Sequence, residues 1–233
     1  MCDESILSVV TEAINQRAGC VFTLTYAQTI DGSIASERGK QTSISCPEAF
    51  EFTHKLRAIH EALMIGVGTL NTDNPSLTTR LVEGNSPQAI ILDSNLRINL
   101  QSKVLTSCPN RPIVICSHER ASRNDDRMKE LIQTGAQVWP CDVNEFGQVD
   151  IFEAMQLVEK HFKSVMIEGG AGIISAILTS ENCVDKISRT ILTIAPGFLG
   201  GLNALQKPLT SLKKWKIENC GVLGQDILVS MTT

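Results

Sequence analysis

The chain has 233 residues, 42% of them hydrophobic, enough for one large core and near the upper end of what a single domain reaches. Its 21 basic and 25 acidic residues leave a net charge of −4 with no basic run to track a phosphate backbone, which excludes nucleic acid as an expected partner. No stretch approaches the roughly 18 apolar residues of a membrane span, and MCDESILSVVTEAIN opens with acids where a signal peptide carries bases, so a soluble, cytoplasmic protein is expected.

The spacing of Ile6, Val9, Val10, Ala13 and Ile14 predicts a helix over 3–18, an extension to a single domain spanning 1–233. A β-rich run, CVFTLTY, follows at 20–26. Residues 46–60 then predict a helix: Ser45 and Glu48 form a capping-box pair, Pro47 lies in the first turn, and Ala49, Phe52, Leu56 and Ile59 share one face. Glu51, His54 and Lys55 fall on the other. Short apolar runs at 62–67, 89–92, 113–116, 136–139, 164–167, 187–194 and 226–230 suit strands covered on both faces. Helical patterns lie between them at 125–133, 151–162 and 172–180. Strand and helix alternating in this way predict an α/β domain with a largely parallel sheet, whose ligands gather where strands end.

Three segments carry possible chemistry. In SVMIEGGAGIISA an apolar strand runs through Gly169, Gly170, Ala171 and Gly172 into a helix, the layout of an anion site in which backbone amides face the charge. Tight strand-to-helix turns need glycine for steric reasons alone, so the segment leaves both readings open. Glu168, at the strand exit, needs either a salt-bridge partner or a task. In MIGVGTLNTDNPSLTTR a strand enters a polar turn with Thr69, Asp73, Asn74 and Pro75, and Arg80 follows as a possible phosphate ligand or a solvated arginine. In LTYAQTIDGSIA the Asp31-Gly32 pair marks a turn between two β-like pieces.

Eight cysteines show no zinc or disulfide spacing and are expected to be reduced and mostly buried. Histidines 54, 60, 118 and 161 show no metal-ligand or nucleophile-base pattern, so they are expected to be structural or exposed, and no metal is expected.

In their order, TYAQTIDGSIA, LRAIHEALMIGVGTLNTDNPSLTTR, IILDSNLRI, IEGGAGI and APGFLGG resemble the reductases of riboflavin biosynthesis, from about residue 20 to about residue 230. The resemblance is to the stand-alone fungal and archaeal type and to the reductase domain of the bacterial bifunctional deaminase-reductase. It implies a dihydrofolate reductase-like fold, NADPH as cofactor, a homodimer, and a pyrimidine ribosyl 5′-phosphate as substrate. Hydride would pass to C1′ of the ribose in 2,5-diamino-6-ribosylamino-4(3H)-pyrimidinone 5′-phosphate. By the same resemblance Thr69, Asp73, Ser94, Gly169, Gly170, Ala171, Gly172 and Ile173 would bind NADPH. Arg57, Leu77, Arg80 and Glu168 would bind substrate, with Glu168 also catalytic, and Gln28 and Ser43 would lie near the nicotinamide.

A lysine that bacterial members carry ahead of the Asp-Gly turn is replaced here around Thr25, and the zinc signature of the deaminase is absent from the sequence. Reduction without deamination is expected. Reduction of the deaminated pyrimidine, a folate reductase activity and a catalytically silent NADPH-binding module stay open as rivals. The run 187–194 is expected at a sheet edge, where it would form the dimer contact.

Overall fold

The computed structural model describes residues 2–108 and 110–233. Helix α1 (Cys2–Gln16) leads to strands β1 (Val21–Thr29) and β2 (Ser33–Ala35), helix α2 (Pro47–Ile59), strand β3 (Ala62–Gly66), helix α3 (Val67–Asp73) and strand β4 (Gln88–Leu92). Then come α4 (Lys103–Thr106), β5 (Ile113–Ser117), α5 (His118–Ser122), α6 (Asp126–Gln133), β6 (Gln137–Cys141), α7 (Ile151–Val158) and β7 (Ser164–Glu168). The chain closes through α8 (Ala171–Thr179), α9 (Glu181–Lys186), β8 (Ile187–Ala195), β9 (Leu202–Asn203), β10 (Lys216–Leu223) and β11 (Asp226–Thr232).

Among the described residues nine strands form one sheet in the order β10-β11-β8-β1-β7-β3-β4-β5-β6. From β8 to β6 every pairing is parallel, and β11 runs antiparallel to both its neighbours. The apolar runs are continuous because both faces are covered. On β3, Leu63 and Ile65 enter a core with Ile6, Phe52, Leu56 and Leu70, while Ala62 and Met64 enter the opposite core with Met155, Val158, Ile174 and Ile177. Strands β4 and β7 divide their side chains in the same alternating way. Each fully buried Ile or Leu contributes about 2 kcal/mol of transfer free energy.

The register builds a step at the carboxyl edge of the sheet. Pairing of β1 with β7 ends at Thr25↔Glu168, whereas pairing of β1 with β8 continues to Thr29↔Ala195. Tyr26 to Thr29 therefore rise roughly 13 Å beyond β7 at about 3.3 Å per residue, with no strand on that flank. Strand β7 is inserted between β1 and β3, so the crossovers diverge at this step, as at the ligand crevice of open α/β sheets.

Residues 187–194 are not an edge, because β8 lies between β1 and β11; the open edges belong to β10 and β6. The proposed dimer contact there has no free strand to offer. Ser45 does not cap α2: the N-cap is Cys46, without a side-chain bond, and its amide donates instead to Asp226 Oδ2 at 2.8 Å. The polar turn after β3 is helix α3, which begins at Val67. Of the two alternatives for His54, structural or exposed, the fold takes the first: it is fully buried although it shares a helix face with Glu51 and Lys55. The Asp31-Gly32 turn forms, with φ +81° at Gly32, yet β2 pairs with β9 in a separate ribbon and does not close a hairpin with β1. Helix 151–162 stops at Val158, and α9, β9 and β10 were not anticipated.

Candidate functional site

Two turns meet at the step. Strands β3 and β7 pair from Ala62↔Val165 to Met64↔Ile167, which sets Gly66 beside Glu168 and Gly169 at the strand exits. Ile173, in the first turn of α8, packs beneath both: a methyl group at Gly66 or Gly169 would stand 3.1 Å from it. A Cβ on Gly170 would collide with the Thr69 hydroxyl, so the turn after β7 and the first turn of α3 are in contact. A side chain at Gly170 would have to displace that hydroxyl.

This arrangement suits a dinucleotide phosphate. Gly170 is the N-cap of α8 and brings no side chain to the amides of Ala171 and Gly172, while the Ile173 amide donates to Gly170 O at 3.0 Å. Among the described residues, its chain neighbours and its own helix backbone aside, nothing lies within 4 Å of a Cβ on Gly172. Thr69 points its hydroxyl into the same turn, and Asp73 is half-buried at the end of α3, where burial raises its carboxyl above the usual range. Helix α3 holds its place through polar docking. Asn71 donates to Arg97 O and accepts from the Asn99 amide, and Asn74, left-handed at φ 43°, accepts from the Lys103 amide. Ser94 lies at the same edge beyond β4, and its hydroxyl accepts the Val149 amide at 2.8 Å.

Beside the turns lies a charge pair. Arg57 Nε and Nη2 each donate to one oxygen of Glu168 at 2.6 Å, a bidentate clasp in which the side chains are 6% and 19% exposed. Burial pulls the Arg57 guanidinium down, but the charge and hydrogen bonds of Glu168 outweigh it and leave it raised. Each Glu168 oxygen keeps acceptor capacity for a ligand hydroxyl. Arg57 Nη1 also donates to Thr78 O at 3.3 Å, which ties α2 to the segment that carries Leu77 and Arg80. Arg80 is exposed, with its guanidinium 5.6 Å from the Phe50 ring and bonded to Ser76 Oγ at 3.2 Å. Leu77 is buried in the core at φ +54°, so only its backbone faces a ligand.

A cleft of about 320 Å³ opens against the raised end of β1 and β8, lined by Thr29, Ser43 to Cys46, Ala195 to Leu199, Gln225 and Asp226. Ser43 is thus placed in it, while Gln28 is half-buried on β1. Thr25 stands opposite Glu168 in the ladder. Asp31 was read only as a turn former, but its carboxylate accepts from the Thr29 and Ser33 hydroxyls and from the Leu199 and Gly200 amides. The Thr29 bond first, then the Gly200 amide, hold it well below the usual carboxylate range. This clasp fixes the loop that presents Phe198, 80% exposed, at the mouth of the cleft. The contact was missed because the partners lie 168 and 169 residues away.

The chain matches the model of the RibD C-terminal domain over residues 21–229. It is 36% identical over 190 residues to the 2,5-diamino-6-ribosylamino-4(3H)-pyrimidinone 5′-phosphate reductase of Debaryomyces hansenii, covering 76% of this chain and 75% of that one. Among solved structures it superposes on Acinetobacter baumannii RibD with a TM-score of 0.76 at 23% identity, covering 95% of this chain and spanning 60% of that longer protein. It shares the fold of Enterococcus faecalis dihydrofolate reductase at a TM-score of 0.52 and 14% identity, over 91% of this chain and 95% of that one.

Proposed function

The chain belongs to the RibD C-terminal domain family, and on that premise we propose that it is the NADPH-dependent reductase that converts 2,5-diamino-6-ribosylamino-4(3H)-pyrimidinone 5′-phosphate to its ribitylamino product in riboflavin biosynthesis. The fungal relative's name supports the substrate. The observation that carries the reading is the meeting of Thr69 and Gly170 beside the Arg57–Glu168 clasp, which supports a dinucleotide and a sugar phosphate sharing one recess.

In this reading the turn from Gly169 to Ile173 holds the dinucleotide phosphates, with the Ala171 and Gly172 amides as donors, and Thr69, Asp73 and Ser94 hold its hydroxyl and phosphate groups. NADPH, when bound, supplies the hydride that reaches C1′ of the ribose. The chain's own work is placement. Arg80 and the Leu77 backbone grip the 5′-phosphate end, while Glu168, steadied by Arg57, accepts from ribose hydroxyls and orients C1′. The Asp31 clasp keeps the Phe198 loop over the cleft, where it excludes water. We further propose that the protein works in the cytoplasm as a homodimer on a small-molecule substrate. Among the described residues no helix is long and apolar enough to cross a membrane.

The test is NADPH oxidation by the purified protein with the diamino pyrimidine, its deaminated counterpart and dihydrofolate side by side. Turnover is expected with the first and much weaker turnover with the others. Preference for another substrate, or NADPH binding without oxidation, overturns the reading. Sedimentation equilibrium tests the dimer, and a monomer across the working concentrations would refute it.

A further inference from the structure

We propose that His54 is a positioning residue for substrate binding: by accepting the Arg80 amide it locks the Ser76–Arg80 segment onto α2 in the shape that presents the phosphate-gripping backbone and guanidinium. The proposal deepens the function proposed above and rests on it for the identity of the substrate.

Phe50, His54 and Arg57 stand at i, i+4 and i+7 of α2 and so form one stripe. All three engage the same segment. His54 Nδ1 accepts the Arg80 backbone N–H at 3.2 Å, Arg57 Nη1 donates to Thr78 O at 3.3 Å, and the Phe50 ring lies 5.6 Å from the Arg80 guanidinium. The Phe50 ring also meets His54 edge-on, with centroids 5.2 Å apart. Immediately before the two backbone tethers sits Leu77 at φ +54°, a conformation that a leucine keeps only where its surroundings impose it.

The imidazole is a costly choice for a mere filler. His54 is fully buried, and its Nε2 has no partner among the described residues. Because an amide can only donate, Nδ1 carries the lone pair and Nε2 carries the unsatisfied proton. An apolar side chain would avoid that penalty but would strand the Arg80 amide instead. Burial, followed by the charges of Arg57 and Arg80, pushes the ring down to about 4, which keeps the Nδ1 lone pair free near neutrality.

The experiment compares wild type with H54L, which removes the acceptor, and H54N, whose amide oxygen can stand where Nδ1 stands; H54M replaces H54L if that variant does not fold. Amide exchange of residues 76–81 and steady-state kinetics with the diamino pyrimidine phosphate are read on each protein. H54L should speed exchange of the Arg80 amide about tenfold and raise KM about tenfold, with kcat and NADPH affinity within about twofold. H54N should stay within about threefold of wild type in both readouts. Unchanged exchange in H54L, equal impairment of H54N and H54L, or a parallel fall in NADPH affinity overturns the proposal. If wild type fails to oxidise NADPH with this substrate, the proposed function falls, while the exchange comparison still decides whether His54 holds the segment.

Discussion

Arg57 and Glu168 lie 111 residues apart in the chain and join side chains through two hydrogen bonds of 2.6 Å each. Glu168→Gln removes the charge and one of the two acceptors while Arg57 stays buried. The loss should be about 1–3 kcal/mol of stability, discounted because Glu168 is partly exposed. It should also raise KM for the pyrimidine about tenfold or more. Thermal unfolding and steady-state kinetics check both, and full turnover with wild-type affinity would remove Glu168 from the site.

Gly170 and Gly172 separate steric from ligand effects. Gly170→Ala forces a methyl group into Thr69 and should lower both stability and NADPH affinity, the latter at least about tenfold. Gly172→Ala meets no other described part of the fold, so unfolding should be unchanged or improved. A fall in NADPH affinity for that variant then reports a ligand close to the backbone, and equal NADPH titrations for Gly172→Ala and wild type would argue against phosphate binding there.

Arg80→Ala should raise KM for the phosphorylated substrate about tenfold while changing kcat less, because the guanidinium binds ground and transition states alike. Its exposed position, with Ser76 and Phe50 as partners, predicts little change in melting temperature. Comparison with the dephosphorylated substrate checks the contact: the variant should lose discrimination between the two.

Acid should weaken the fold through two buried imidazoles. Burial and the nearby Arg57 and Arg80 push His54 to about 4, and burial pushes His60 to about 4, both below the usual 6.5. The unfolded chain takes up protons first, so this stability is complete above about pH 6.5 and is lost as the pH falls toward about 4. Urea midpoints across that window should decline, less steeply in His54→Asn, and equal slopes for the two proteins would contradict the assignment.

Much of the sheet was legible in the sequence because β3, β4, β5 and β7 are apolar on both faces, which leaves an unbroken run. Strand β10 was not, since as an edge strand it is largely exposed and its residues KIENCGVL carry no apolar pattern. Helix α3 was hidden by Asn71, Thr72 and Asp73, poor helix formers held by docking to residues 97–103. The true partner of the α2 N-terminus, Asp226, lies 180 residues beyond Cys46, outside any local rule. In the site, the glycine turn announced itself by composition, whereas Arg57 came from family resemblance alone. His54 shares its face of α2 with Glu51 and Lys55, so these neighbours do not mark it as buried. The i, i+4, i+7 row of Phe50, His54 and Arg57 was the available signal.

The late arrival of β7 between β1 and β3 has a consequence for biogenesis. A nascent polypeptide that has emerged only as far as α7 holds β1 and β3 without the strand that bridges them, so the recess lacks its Glu168 and Gly170 side. Such non-local closure slows folding and leaves adhesive edges bare on the ribosome. Protease protection of stalled chains should therefore appear abruptly once residues 164–168 have cleared the exit tunnel, and gradual protection from the first strand onward would refute that order of assembly.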